Sequence, residues 1–268
     1  MPRGPVAAAA SAAGGPAPGP PADTVDLVGK DDEIQYLARL GAAGRTHALN
    51  KPWSDPARGR YLLDVGGLLS VMPPPPARLL DLGAGSGWSS SMFALAGYTV
   101  TVTDISPDMV ELQRENEQRY GIGFEASRVV DFESLDYRDE FDVVLFYDCL
   151  HHSDDERRAL RAAFEALKPG GVCITLEPGR GHHRTEVSRR AAETLGTNER
   201  DMPPSLVLSC AREVGFSCGA VFDRPRAPVR IARGKRPDLR GVLEHVKAFL
   251  VNATPLAMTR GHIVVLTK

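Results

Sequence analysis

The chain has 268 residues, 43% of them hydrophobic and 25% charged, with a formal net charge of −2. That length suits one sizeable α/β domain with extensions, and the near-neutral charge gives no field that would recruit nucleic acid or an anionic membrane. No apolar run approaches the ~20 residues needed to span a bilayer, so a soluble, cytoplasmic protein is expected.

Residues 1–22 are almost all Ala, Gly and Pro. They cannot bury enough apolar surface to offset their ordering entropy and are expected to form a disordered tail. Gly and Pro interrupt every hydrophobic run there, which argues against a secretory signal. Residues 23–76 read as an N-terminal helical arm. Ile34, Leu37 and Leu40 recur at helical spacing over 31–40, and a second helix over 58–72 is stopped by the prolines at 73–76. Between them Pro52 and Pro56 bracket Trp53. This ring is expected either to fill a gap where the arm docks or to line a ligand cleft.

Next comes Leu79-Leu80-Asp81-Leu82-Gly83-Ala84-Gly85-Ser86-Gly87-Trp88. An apolar run ends in an acid, crosses alternating glycines and enters a helix-competent segment. That is the strand, tight loop and helix N-terminus at which α/β proteins hold nucleotide-like ligands. A dinucleotide fingerprint would need Gly or Ala at position 88, where this chain has Trp88. A second strand ends at Asp104, Ser106-Pro107 opens a helix to about Arg119, and a short strand is expected near 125–130. The run 141–148 is apolar enough to be buried on both faces. After it come Leu150-His151-His152 and a capping box, with Ser153 as N-cap and Glu156 reaching back. Val172–Leu176 is a further strand, and helices are expected over 185–195 and 204–214. Strands over 216–222 and 262–267 close the chain. Between those last strands lies a long arginine-rich connection, 223–260, with a helix over 238–250. The four cysteines form no CxxC pair and no metal-like spacing, so reduced thiols are expected, with Cys149 in a packing role.

The spacing Asp81-x-Gly83-x-Gly85-x-Gly87 resembles motif I of the class I S-adenosylmethionine (SAM)-dependent methyltransferases. The rest of that family's pattern follows in order. Val100–Asp104 resembles the second strand with its terminal acid, and Val130-Asp131-Phe132 the adenine-contacting segment. Phe141–Asp148 resembles the fourth strand, and Leu167-Lys168-Pro169-Gly170-Gly171 the turn before the fifth. The resemblance implies a Rossmann-like three-layer α/β sandwich over residues 77–268. Its seven-stranded, mostly parallel sheet would have order 3-2-1-4-5-7-6 and an antiparallel last strand, with 223–260 as a basic insert. It implies SAM as cofactor, held by Asp81, Gly83, Gly85, Gly87, Asp104 at the ribose, Asp131 and Phe132 at the adenine, and Asp148.

The implied reaction is methyl transfer to a small-molecule acceptor, a hydroxyl oxygen of a sugar or other metabolite. The arginines of the insert leave room for an anionic acceptor. The nucleic-acid amino-methylating branch of the family carries an Asn/Asp-Pro-Pro-aromatic motif after strand four. Here Tyr147-Asp148-Cys149-Leu150 stands in its place, so no nucleic-acid partner is expected. A hydroxyl needs a base, and His152, then His151 and His182, fall on the carboxyl side of the sheet, where ligands bind. An imidazole near its ordinary pKa of ~6.5 is mostly neutral at pH 7. No carboxylate-rich set accompanies these histidines at a metal-ligand spacing, so no metal is expected. The alternative is a non-catalytic domain of this type that binds SAM or a partner. Oligomeric state is not readable from the sequence.

Overall fold

The computed structural model describes residues 30–268, and the tail expected over 1–22 lies outside them. Seven strands form one sheet: β1 (Arg78–Leu82), β2 (Thr99–Asp104), β3 (Ala126–Val129), β4 (Phe141–Tyr147), β5 (Leu167–Leu176), β6 (Cys218–Phe222) and β9 (Ile263–Thr267). Their order is β3-β2-β1-β4-β5-β9-β6. The first five are parallel, and β9 runs antiparallel to both β5 and β6. This is the expected sheet. A two-stranded hairpin, β7 (Ala232–Arg233) with β8 (Arg236–Pro237), stands apart from it inside the insert.

The unbroken apolar run of β4 follows from layers on both sides. Val144 and Phe146 join Leu80, Leu160, Ala163 and Val207 in one buried cluster. Val143 and Leu145 point the other way, into a cluster with Leu68, Leu79, Phe93 and Ile174. Successive side chains of a strand alternate between faces, so a central strand needs apolar residues at every position. The first layer is supplied by α6 (Glu156–Ala166) and α8 (Pro204–Val214), and the second by α3 (Arg58–Val71) and α4 (Trp88–Leu95).

Two local expectations shift. The helix expected over 31–40 becomes α1 (Asp31–Ile34) followed by α2 (Tyr36–Leu49), and Gly41 interrupts α2 with φ 64° and ψ −164°. The helix after β4 is capped by Asp155, which accepts from the N–H groups of Arg157 and Arg158, and not by Ser153. The reason lies upstream. Leu150–His152 forms a single 3-10 turn, and Ser153 accepts a bond from Arg200 instead of capping. By contrast Ser106 caps α5 (Pro107–Tyr120) as expected, and Gly121 ends that helix in the left-handed region.

The insert is fastened at its start. Arg224 makes a two-point ion pair with Asp64 of α3, Nε lying 2.7 Å from Oδ1, and Asp64 also accepts the Tyr147 hydroxyl at 3.1 Å. Beyond it α9 (Leu239–Asn252) leaves Leu243 and Phe249 exposed. Among the described residues no helix is long and apolar enough to cross a membrane. All four cysteines are free; Cys149, Cys173 and Cys210 are buried, whereas Cys218, at the start of β6, is exposed.

Candidate active site

A cavity of about 410 Å³ opens at the carboxyl ends of β1, β2 and β4, partly covered by α2. Its floor is the loop from β1 to α4, where Gly83, Gly85 and Gly87 have φ of +59°, +55° and +71°. These are left-handed conformations that side chains resist. A Cβ at Gly83 would come within 2.9 Å of the Cys149 Cβ, whereas one at Gly85 would meet nothing within 4 Å and would project into open space beside the cavity. Asp104, at the end of β2, ties this loop down. Its Oδ2 accepts the Gly85 N–H at 2.8 Å and its Oδ1 the Ser106 N–H at 2.9 Å. Burial outweighs those two bonds and pushes the Asp104 carboxyl up to about 6. Asp81 is buried too, and accepts the Ser90 hydroxyl at 2.6 Å. Burial carries its carboxyl to about 7. Asp148 lies in the cavity wall with a left-handed φ of 57°.

The far end of this half differs from expectation. Asp131 and Phe132 line the cavity, but both Asp131 oxygens hold the Lys30 ammonium, at 3.0 and 2.9 Å. Lys30 also bonds Glu133 and lies 5.4 Å from the centre of the Phe132 ring. Lys51, from the arm, enters the cavity wall over the Tyr61 ring. Burial lowers its ammonium pKa, opposed by the carboxylates of Asp148 and Asp55. Sequence reasoning missed both lysines, because nothing local distinguishes them; it looked to Trp53, which is 50% exposed and outside the cavity lining.

The other half is built from side chains. Glu177, just after β5, accepts the N–H groups of Cys149, Leu150 and His151 at 3.1, 2.9 and 3.3 Å. Its Oε2 also faces the His151 Nδ1 at 2.7 Å. The His151 ring stacks against His152, with centroids 4.0 Å apart, and meets His182 edge-on at 5.0 Å. His152 lines the cavity, and its Nδ1 donates to the Asn198 carbonyl at 2.6 Å with Glu33 at 3.4 Å. Burial would lower its pKa, but the hydrogen bond and charge of Glu33, the charge of Glu199 and the Asn198 carbonyl raise it to about 9. The ring is therefore a cation at neutral pH, not the neutral imidazole expected. His182 lies 2.9 Å from Glu199, a cavity-lining residue between α7 (Glu186–Leu195) and α8. His183 points away to Asp201. The structure thus brings His151, His152 and His182 together, and adds Glu177 and Glu199. Neither acid was singled out in the sequence, being 26 and 48 residues from His151 in the chain.

Residues 80–175, the span that carries the glycine loop, Asp104 and both central histidines, match a family model described as a methyltransferase domain. The span 80–175 is thus a methyltransferase domain, on the fold of the class I SAM-dependent enzymes. A ubiquinone biosynthesis O-methyltransferase of Xanthomonas axonopodis pv. citri is 33% identical over 127 residues, 47% of this chain and 48% of that protein. A ubiquinone/menaquinone biosynthesis C-methyltransferase of Vibrio campbellii is 30% identical over 160 residues, 56% of this chain and 60% of that protein. The chain thus spans about half the length of the curated relatives it matches. Among solved structures, phosphoethanolamine N-methyltransferase 2 of Haemonchus contortus superposes with a TM-score of 0.57 at 18% identity, over 92% of this chain and 60% of that one. The cyclase SpnF gives 0.54 at 19% identity over 88% and 92%. These likenesses show the fold, and the cyclase shows that the fold does not by itself fix the reaction.

The methyl donor of the family is SAM, and the methyltransferase domain has a cradle that fits it. The backbone at Gly85 faces space that a Cβ would fill, and the buried Asp104 carboxylate borders the same cavity.

Proposed function

We propose that the protein is an enzyme that transfers the SAM methyl group to a hydroxyl oxygen of a small-molecule acceptor. The observation that carries this reading is the join between two unlike half-sites in one cavity: a glycine cradle tied by Asp104 at one end and His152 at the other. Gly83, Gly85 and Gly87 would seat the methionyl part of SAM, Asp104 the ribose diol, and Phe132 the adenine ring. Asp131 would take the adenine amino group once Lys30 yields it. Asp81 and Asp148 would face the donor's ammonium, and Lys51 supplies the cation that its carboxylate needs. SAM brings a methyl group already activated by sulfonium, so holding the acceptor in line supplies much of the acceleration.

The acceptor proton remains. The Nδ1 of His152 is engaged by Asn198, so Nε2 is the nitrogen left for a ligand. In its neutral form this nitrogen takes the hydroxyl proton as the carbon–oxygen bond forms. Because the ring is held as a cation until about pH 9, turnover climbs with pH beyond neutrality instead of levelling by pH 7. His151 and His182 hold their places behind it.

An anionic acceptor suits the second, shallower opening beside His182, which is lined by Arg60, Arg180, Arg224, Arg226 and Arg260. The test is to incubate the protein with methyl-labelled SAM and fractionated metabolites. Label in one compound, with S-adenosylhomocysteine formed in equal amount, supports the reading. SAM binding without S-adenosylhomocysteine from any fraction would favour a non-catalytic binding domain.

A further inference from the structure

We infer that His151, His182 and Glu199 form a binding site for one divalent transition metal ion of the zinc type, at the wall of the cavity. Each residue offers one ligand atom, and the three atoms lie within 4.8 Å of one another. The Glu199 Oε2 is 2.9 Å from the His182 Nε2 and 4.0 Å from the His151 Nε2. A tetrahedral ion with bonds of ~2.1 Å sets its ligand atoms about 3.4 Å apart, inside the range these distances span.

The orientation of His151 is the second, independent observation. Glu177 is fixed by three backbone N–H groups and presents Oε2 to the His151 Nδ1. That bond occupies Nδ1 and leaves Nε2, 4.0 Å from the Glu199 carboxylate, as the nitrogen available to an ion. No hydrogen bond joins the two at that separation, and a cation between them would bridge them. A carboxylate that fixes the tautomer of an imidazole in this way is the usual support of a metal-binding histidine.

Charge points the same way. Glu33, Glu177 and Glu199 crowd one side of the cluster, against the imidazoles of His151, His152 and His182. Among the described residues no lysine or arginine pairs with any of these three acids. A dication bound by two neutral imidazoles and one carboxylate would offset part of that negative charge. Two nitrogens and one oxygen are a donor set for zinc, cobalt or a neighbouring first-row ion, and they leave a coordination position open. Glu199 lines the cavity, so that position lies at its wall. Binding moves the His182 proton from Nε2 to Nδ1, beside the Ser188 hydroxyl, so the ring stays neutral and Nε2 takes the ion. The Thr197 hydroxyl, donating to Oε1 of Glu199 at 3.1 Å, keeps Oε2 directed at the histidines.

The test uses the full chain, stripped with a chelator and titrated with cobalt(II), without measuring turnover, so that it stands apart from the proposed methyl transfer. The expected result is one equivalent bound with visible absorption of a four- or five-coordinate ion, displaced by zinc(II). Glu199→Gln and His182→Ala each abolish the absorption or weaken binding more than tenfold. Glu177→Gln, a change at a positioning residue, weakens it by about 10–100-fold. His183→Ala, at an exposed neighbour, leaves it unchanged. Thermal unfolding of each metal-free variant confirms that it is folded. Failure of the parent to bind stoichiometric cobalt or zinc overturns the site. So does a folded Glu199→Gln variant that binds as the parent does.

Discussion

The two halves of the cavity are made of different material. The glycine-loop half is mostly backbone: three left-handed glycines, an N–H bonded to Asp104 and a helix start, all but Asp104 within a few residues of each other. The histidine half is side chains drawn from four stretches of chain, in which carboxylates hold histidines in place. Backbone sites are rigid and specified locally. Side-chain sites depend on the protonation of each member, so their properties emerge only once the chain is folded.

The largest effect that would sharpen this contrast is at His152. Its replacement by Ala is expected to lower kcat by about a hundredfold or more while SAM affinity barely moves. Steady-state kinetics with the acceptor found by labelling, beside calorimetry with SAM, reads both. Retention of parental turnover would remove His152 from the chemistry. On the glycine-loop side, Asp104→Ala removes two loop bonds and the carboxylate proposed for the ribose, and SAM affinity should fall by roughly 3 kcal/mol, on the order of a hundredfold. Unchanged calorimetric binding would show that the cradle holds SAM without it. Lys51→Ala is expected to weaken SAM about tenfold, one charge-assisted bond's worth. An equal loss in a variant that keeps the charge, Lys51→Arg, would point to packing instead.

Acidity gives a smaller but distinct signature. Asp104 and Asp81 take up protons near pH 6 and 7, far above an exposed carboxyl. Folding with raised pKa values stabilises the ligand-free protein below about pH 4, and that contribution is lost as pH rises through 6 to 7. SAM, cationic at its sulfonium, prefers the ionised acids. Binding should therefore tighten over the window in which the ligand-free protein loses stability. Melting curves and calorimetry at pH 5.5 and 7.5 should move in opposite directions. Smallest of all, added salt should lower turnover a few-fold if the arginine-lined opening draws an anionic acceptor.

The strands, the glycine loop and the acid at position 104 were legible because each rests on local pattern: apolar runs, an acid at a strand end, glycine where φ is positive; the sheet order came from the family resemblance that these patterns carry. The histidine half was legible only as histidines after strands. Glu177 and Glu199 look like any loop acids until β5 and the α7–α8 connection bring them to His151 and His182. The charge on His152 was unreadable for the same reason, since Glu33 reaches it from the arm, more than a hundred residues away in sequence. Lys30 closing on Asp131 is likewise a long-range pairing. Ser153 misled because a capping box is a pattern of residue types, and the 3-10 turn before it postponed the helix.

The distribution of the four thiols has a practical outcome. Cys149 and Cys173 are held protonated by burial, Cys149 beneath the glycine loop and Cys173 within β5. Cys210 is buried as well, which leaves Cys218 as the one exposed thiol. A maleimide dye added to the native protein should attach at Cys218 alone, on the outer strand of the sheet and away from the cavity. The remaining three become reactive only when the sheet opens. Counting labelled sulfurs over time is thus a clock for opening of the whole domain, with no engineered cysteine required.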